Sequence, residues 1–165
     1  MTSLKQKGDL AELKVAADLL QRGCKLSIPF GEDSDYDLIA DYEGVLHRIQ
    51  VKFTRSNGRR ILIRCRSHSL TNGKVRQTKH YTATMIDWIA VYDATSERCY
   101  YCPSSELGSG RSELSLRLTP ARNGQRLGIR EAAAYMDPEL ARDPRVEPAG
   151  IEPATSCLQS TRSAN

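Results

Sequence analysis

Four side chains in this sequence are of types that can act together on a phosphate ester: Glu12, Asp37, Gln50 and Lys52. Carboxylate and amide oxygens suit a hard divalent cation such as Mg²⁺ (or Mn²⁺), which keeps several waters and bridges protein carboxylates to substrate phosphate. A lysine beside them adds a compact positive charge on a flexible stem. Each residue alone has an ordinary explanation. A strand lysine usually snorkels to solvent, and an aspartate at a strand end usually forms a turn. The chemistry needs all of them on one side of one sheet.

Two elements must do the positioning. Ser3 as N-cap, Gln6 three residues later and Gly23 as a stop predict a helix over Leu4–Arg22. At ~100° per residue, Lys7, Lys14, Asp18 and Gln21 form a polar stripe. Ala11, Leu13, Val15, Ala16 and Leu19 form an apolar arc facing the protein. Glu12 falls inside that arc. An unpaired buried carboxylate is costly, so it needs a cation, a metal or a water-filled cleft. The second element is a hairpin of 37–41 and 46–53 around Glu43-Gly44. Tyr42 then pairs with Val45, Asp37 lies across from Gln50, and Asp35 lies across from Lys52 if pairing extends so far. Alternation puts Arg48, Gln50 and Lys52 on one face and His47, Ile49, Val51 and Phe53 on the other. A slip of one residue would turn Asp37 to the wrong face.

The other elements are read more coarsely. Leu26–Ile28 is a weak strand, and Ile61–Arg66 a strand between turns at Ser56-Asn57-Gly58 and Asn72-Gly73. Lys79–Ile86 reads as a short helix, Trp88–Tyr92 and Cys99–Cys102 as strands, Pro103–Leu107 as a turn and Leu114–Leu118 as a last strand. From Asp137 the composition turns to proline, then to serine and threonine. Residues 1–136 are expected to be one domain and 137–165 a disordered tail. Within it, Gly150–Ser160 resembles the end of a reading frame that overruns a tRNA gene on the opposite strand.

Net charge is +4, but acids and bases segregate. From Arg48 to His80 there is no acid, while Arg48, Lys52, Arg55, Arg59, Arg60, Arg64, Arg66, Lys74, Arg76 and Lys79 are all basic. Arg111, Arg117, Arg122, Arg126 and Arg130 follow with one acid, Glu113. Such a surface attracts phosphate polyanions and releases counterions on binding. Residues Arg55, Arg59, Arg60, Arg64, Arg66, Lys74, Arg76 and Lys79 are the candidate nucleic-acid contacts.

The order of these parts resembles the PD-(D/E)xK nuclease superfamily. Gly8-x-x-x-Glu12, Tyr36-Asp37-Leu38-Ile39 and Ile49-Gln50-Val51-Lys52 carry the likeness, continued by Tyr81, Ile86–Asp93 and Tyr100–Pro103. It is most similar to the branch associated with group I introns, where Gln replaces the usual second acid, as Gln50 does here. The resemblance covers about residues 3–130. It implies an α/β fold with a restriction-endonuclease-like core, a central mixed β-sheet flanked by helices. It implies a Mg²⁺- or Mn²⁺-dependent endonuclease acting on double-stranded DNA. Asp37, Gln50, the Val51 carbonyl and Glu12 would hold the metal, and Lys52 would orient water and offset charge. One site per chain implies a homodimer or higher homo-oligomer.

Other classes are disfavoured. At 39% apolar residues and a mean hydropathy of −0.50, no run approaches the ~20 residues of a membrane span. The N-terminus lacks the plan of a secretory signal. Five cysteines are an odd number, read as reduced thiols in a cytoplasmic protein. Cys99-x-x-Cys102 lacks a second ligand pair for zinc. The remaining alternatives are a Holliday-junction resolvase, a restriction or repair nuclease, and a DNA-binding module without catalysis.

Overall fold

Helix α1 (Leu4–Gln21) starts where the sequence places it. Ser3 Oγ accepts from the Gln6 amide at 3.1 Å, and Gln6 Oε1 accepts from the Ser3 amide at 2.8 Å. Two free donors of the first turn are thus satisfied reciprocally. Gly23, with φ 87°, follows the helix in a conformation that favours glycine. The computed structural model describes residues 3–31, 34–71, 74–120 and 128–141.

Strands β1 (Lys25–Ser27), β2 (Leu38–Tyr42) and β3 (Val45–Thr54) run antiparallel. After them come β4 (Arg60–Arg64), β5 (Arg66–Thr71) and β6 (Lys74–His80), then β7 (Trp88–Asp93), β8 (Arg98–Pro103) and β9 (Glu113–Arg117). The main sheet has the order β1-β2-β3-β7-β8. It is mixed, because β3 and β7 are parallel and the other neighbours antiparallel. Parallel neighbours need a long crossover. Here the crossover is the acid-free basic run, which folds outside the main sheet: β5 pairs with β6, and β4 pairs with β9.

Two cores sandwich the sheet. Ala11, Val15 and Leu19 of α1 pack on Leu38, Ala40, Ile49, Val51, Trp88 and Ala90. On the opposite face Ile61, Ile63, Leu114 and Leu116 of the β4–β9 ribbon pack on Ile89, Val91, Tyr100 and Cys102. Strand β7 is buried along its whole length because its alternating residues serve both cores. Among the described residues α1 is the sole α-helix, so a helix flanks one face and a β-ribbon the other.

Three local expectations are corrected. Lys79–Ile86 is not a helix: Lys79 and His80 finish β6, whose backbone groups are taken by β5, and only a turn follows at Thr82–Ile86. β-branched Thr82 and Thr84 also disfavour a helix. Strand Ile61–Arg66 is divided between β4 and β5 at Cys65, whose amide continues the β4–β9 register to Ser112 O at 2.9 Å while its carbonyl accepts from the Tyr81 amide at 3.0 Å in the β5–β6 register. Leu13 does not face the core; it is 70% exposed, with Leu10 and Leu20 also exposed beside it. Helix α1 therefore has apolar residues on two sides.

Of the expected tail, Asp137–Ala141 are described, and they pack on the body. Arg22 pairs with Asp137 at 2.5 Å, Leu140 is buried in the helix-side core, and His47 Nε2 donates to Leu140 O at 2.8 Å. Residues 142–165, including the Gly150–Ser160 run, lie outside the described residues, as do Asn72 and Gly73.

Candidate active site

The hairpin register delivers the first part of the site. Glu43 and Gly44 both have positive φ, 52° and 86°, the geometry of the two-residue turn that matches strand twist. Tyr42 pairs with Val45 and Leu38 with Ile49. Just before β2, the Asp37 amide also bonds Ile49 O at 2.9 Å, and the Asp37 carboxylate sits beside Gln50. Asp37 Oδ2 accepts from the Val51 amide at 2.7 Å and from Gln50 Nε2. Gln50 Nε2 also reaches Val51 O at 3.3 Å. Among the described residues Asp37 Oδ1 has no hydrogen-bond partner.

Lys52 stands two residues on from Gln50, on the same face. Its Nζ donates to the Tyr81 hydroxyl at 3.1 Å and lies 4.9 Å from the ring centroid. Tyr81 is buried, and its amide is fixed to Cys65 O at 3.0 Å. The sequence reading did not place Tyr81 in the site. An aromatic just beyond a basic strand carries no signal of its own until the fold sets it across from Lys52.

Glu12 reaches the site from α1. It is half-buried and makes no hydrogen bond or ion pair among the described residues. Burial pushes its carboxyl above the ordinary range, and the charges of Asp37 and Asp9 push it further. Asp37 is raised as well. Burial is the main cause, and the Val51 amide, Lys52 and Gln50 only partly offset it. Two carboxylates near each other, both held above their usual values, favour a cation between them.

The donor set fits a hard divalent ion. Its atoms are oxygens; no group of three or more His, Cys, Asp or Glu side chains that could hold a metal ion occurs among the described residues, so the protein would supply the two carboxylates with amide and backbone oxygens. Gln50 presents nitrogen, not oxygen, to Asp37 here; it would ligate through Oε1 only with the amide turned over.

The basic run divides into several environments. Arg55, Arg59, Arg60 and Arg64 are exposed. Arg60 and Arg64 share the outer face of the ribbon, with Arg117 opposite Arg60. Arg66 is half-buried, its Nε without a partner. The β2–β3 pairing ends at Leu38, short of the Asp35–Lys52 pair, and Asp35 pairs with Lys79 instead. The side chains of Lys74 and Arg76 lie outside the described residues. Arg48 clamps Asp87, through Nη2 at 3.0 Å and Nε at 3.1 Å, and holds Thr84 O at 2.8 Å. Cys99 and Cys102 separate to opposite cores, as strand alternation requires.

Fold and site together define a restriction-endonuclease-like α/β protein. The chain belongs to the PD-(D/E)XK endonuclease family, whose model matches residues 2–138. Among solved structures it is similar to a bacterial homing endonuclease, I-Ssp6803I, at 26% identity and a TM-score of 0.62, over 81% of this chain and 88% of that one. No curated protein sequence matches it. No helix among the described residues is long and apolar enough to cross a membrane.

Proposed function

We propose that this endonuclease is a metal-dependent DNA hydrolase of the intron-homing type. The observation that carries the reading is the open carboxylate pair, Asp37 and Glu12, beside Lys52 on the sheet face that the β2–β3 register defines. The likeness to a bacterial homing endonuclease supports the homing type, and PD-(D/E)XK nucleases generally use divalent metals.

Asp37, Glu12, Val51 O and the Gln50 amide would hold Mg²⁺ or Mn²⁺. When bound, such an ion lowers the pKa of its water and stabilises charge on phosphate. Lys52 orients the attacking water and offsets charge that develops on the phosphorus oxygens. Tyr81 keeps its ammonium in place. The exposed arginines Arg55, Arg59, Arg60 and Arg64 neutralise backbone phosphates, which sets affinity but not sequence preference. One site per chain cuts one strand, so two copies are needed to cut a duplex.

The test is plasmid nicking at low salt with Mg²⁺, Mn²⁺ or EDTA, repeated on an intronless insertion site. Metal-dependent cutting lost in Asp37→Ala and Lys52→Ala supports the reading. Binding without cutting on either DNA would replace it with a non-catalytic module. Equal cutting of four-way junctions and no preferred duplex site would point to a resolvase.

A further inference from the structure

Among the described residues nothing covers the second apolar side of α1. Leu10, Leu13 and Leu20 are 40%, 70% and 57% exposed, and Ala17 between them is exposed too. Their spacing is three, four, three. That is the seam of a two-stranded helical pair, with Leu10 and Ala17 at one heptad position and Leu13 and Leu20 at the other. The buried face, Ala11, Val15 and Leu19, lies on the opposite side. Exposed leucines at heptad spacing on a capped, 18-residue helix mark a surface built to be covered.

We infer that this stripe is a homodimer seam, in which α1 of one copy packs in parallel against α1 of a second copy. The charges beside the seam choose both occupant and direction. Asp9 flanks it on one side; Lys7 and Lys14 flank it on the other, their ammonium groups 6.0 and 5.7 Å from the Phe53 and Tyr92 ring centroids of their own chain, within a rotamer change of the seam. In a parallel pair, Asp9 of each helix faces Lys14 of its partner, two symmetric opposite-charge contacts. In an antiparallel pair Lys7 and Lys14 would face each other and repel. A second copy is also what the proposed double-strand cut requires. The inference rests on that reading for its purpose, but not for its test.

Sedimentation or light-scattering mass of the full chain reads the seam without reading catalysis. Wild type is expected to have at least twice the monomer mass, and Leu13→Glu/Leu20→Glu half the wild-type mass or less. Because both leucines are exposed, circular dichroism and Tm should stay near wild type. Leu10 and Ala17 lie at the seam, so in a Cys157→Ser background Leu10→Cys and Ala17→Cys, made separately, are each expected to cross-link to themselves on mild oxidation; both together require the parallel arrangement, because an antiparallel pair brings one position at most onto itself. A monomeric wild type, an unchanged mass in the double variant, or no self-cross-link in either cysteine variant would each overturn the inference, and a self-cross-link in one alone would overturn its parallel direction. So would a gain in mass on truncation after Ala141, which would mean that the chain's own C-terminal segment covers the stripe. A dimer without nuclease activity would leave the seam standing and remove the nuclease reading.

Discussion

Two buried acidic regions lie on this sheet, and they are treated in opposite ways. Asp93, at the end of β7, is fully buried and saturated with donors. The amides of Ser56, Thr95 and Ser96 reach it at 2.7, 3.2 and 3.1 Å, and the hydroxyls of Ser56 and Ser96 each at 2.8 Å. Burial alone would raise its pKa, but these donors outweigh burial and hold it below the ordinary value. Asp37 and Glu12 are both raised, and burial is the largest cause in each. Asp37 receives donors on one oxygen only, and Glu12 receives none. Burial with too few donors to offset it marks the candidate site. Asp93 is completed by its own chain, whereas Asp37 and Glu12 leave capacity for something from outside.

The sharpest way to break this comparison is to remove each carboxylate. Asp37→Ala is expected to cut the rate of DNA cleavage by about 10³-fold or more, since a metal ligand supplies several kcal/mol in the transition state. Its Tm should remain within a few degrees of wild type. Asp93→Ala should do the reverse. It leaves buried amides and hydroxyls unpaired and should cost about 2–4 kcal/mol of stability. Urea unfolding and nicking rates on the same samples check both. If Asp37→Ala unfolds the protein while Asp93→Ala does not, the assignment is inverted.

Cation binding sharpens the comparison. Mg²⁺ or Mn²⁺ at ten to a hundred times Kd is expected to stabilise wild type by about 1–3 kcal/mol, and Asp37→Ala hardly at all. The pH dependence follows from the direction of each shift. Asp37 and Glu12 have folded pKa values above their unfolded ones. Their contribution to ion-free stability is full below the ordinary carboxylate pKa of ~4 and is lost as pH rises through the raised values. The ion favours the charged forms, so its stabilising effect should grow over that same window toward neutral pH. Asp93 contributes oppositely: full above ~4 and lost as pH falls through its lowered value. Thermal melts with and without the ion, from pH 4 to 7.5, test both signs.

The smallest effect concerns the cation of the site. Tyr81→Phe keeps the ring near Lys52 but removes the hydroxyl that accepts from Nζ. About a tenfold fall in single-turnover rate is expected, worth ~1.4 kcal/mol, with DNA affinity unchanged. A loss of affinity with an unchanged rate would assign Tyr81 to the DNA-binding surface instead.

Much of the site was legible because it is local. The turn at Glu43-Gly44 fixes the register of β2 and β3, and period-two alternation then places Asp37, Gln50 and Lys52 together. The start of α1 was legible for the same reason, since a capping box is a contact between residues three apart. Long-range features were less legible. Arg48 read as part of a polyanion surface, but it clamps Asp87, thirty-nine residues away. Asp35 read as a possible extension of the hairpin, but the pairing ends at Leu38 and Asp35 meets Lys79, forty-four residues away.

By itself, then, the sequence determined the capped helix, the hairpin register, the buried β7 and the charge segregation. Each depends on neighbours a few residues apart, on strand alternation or on composition. The sequence also turned Ala11, Val15 and Leu19 toward the protein, but only the tertiary structure decided that Leu13 stays outside with Leu10 and Leu20. The tertiary structure also set Tyr81 against Lys52 and left Glu12 and Asp37 short of donors. Those outcomes depend on packing and solvation summed over distant segments, and the edge of an apolar arc does not announce where its own sheet stops covering it.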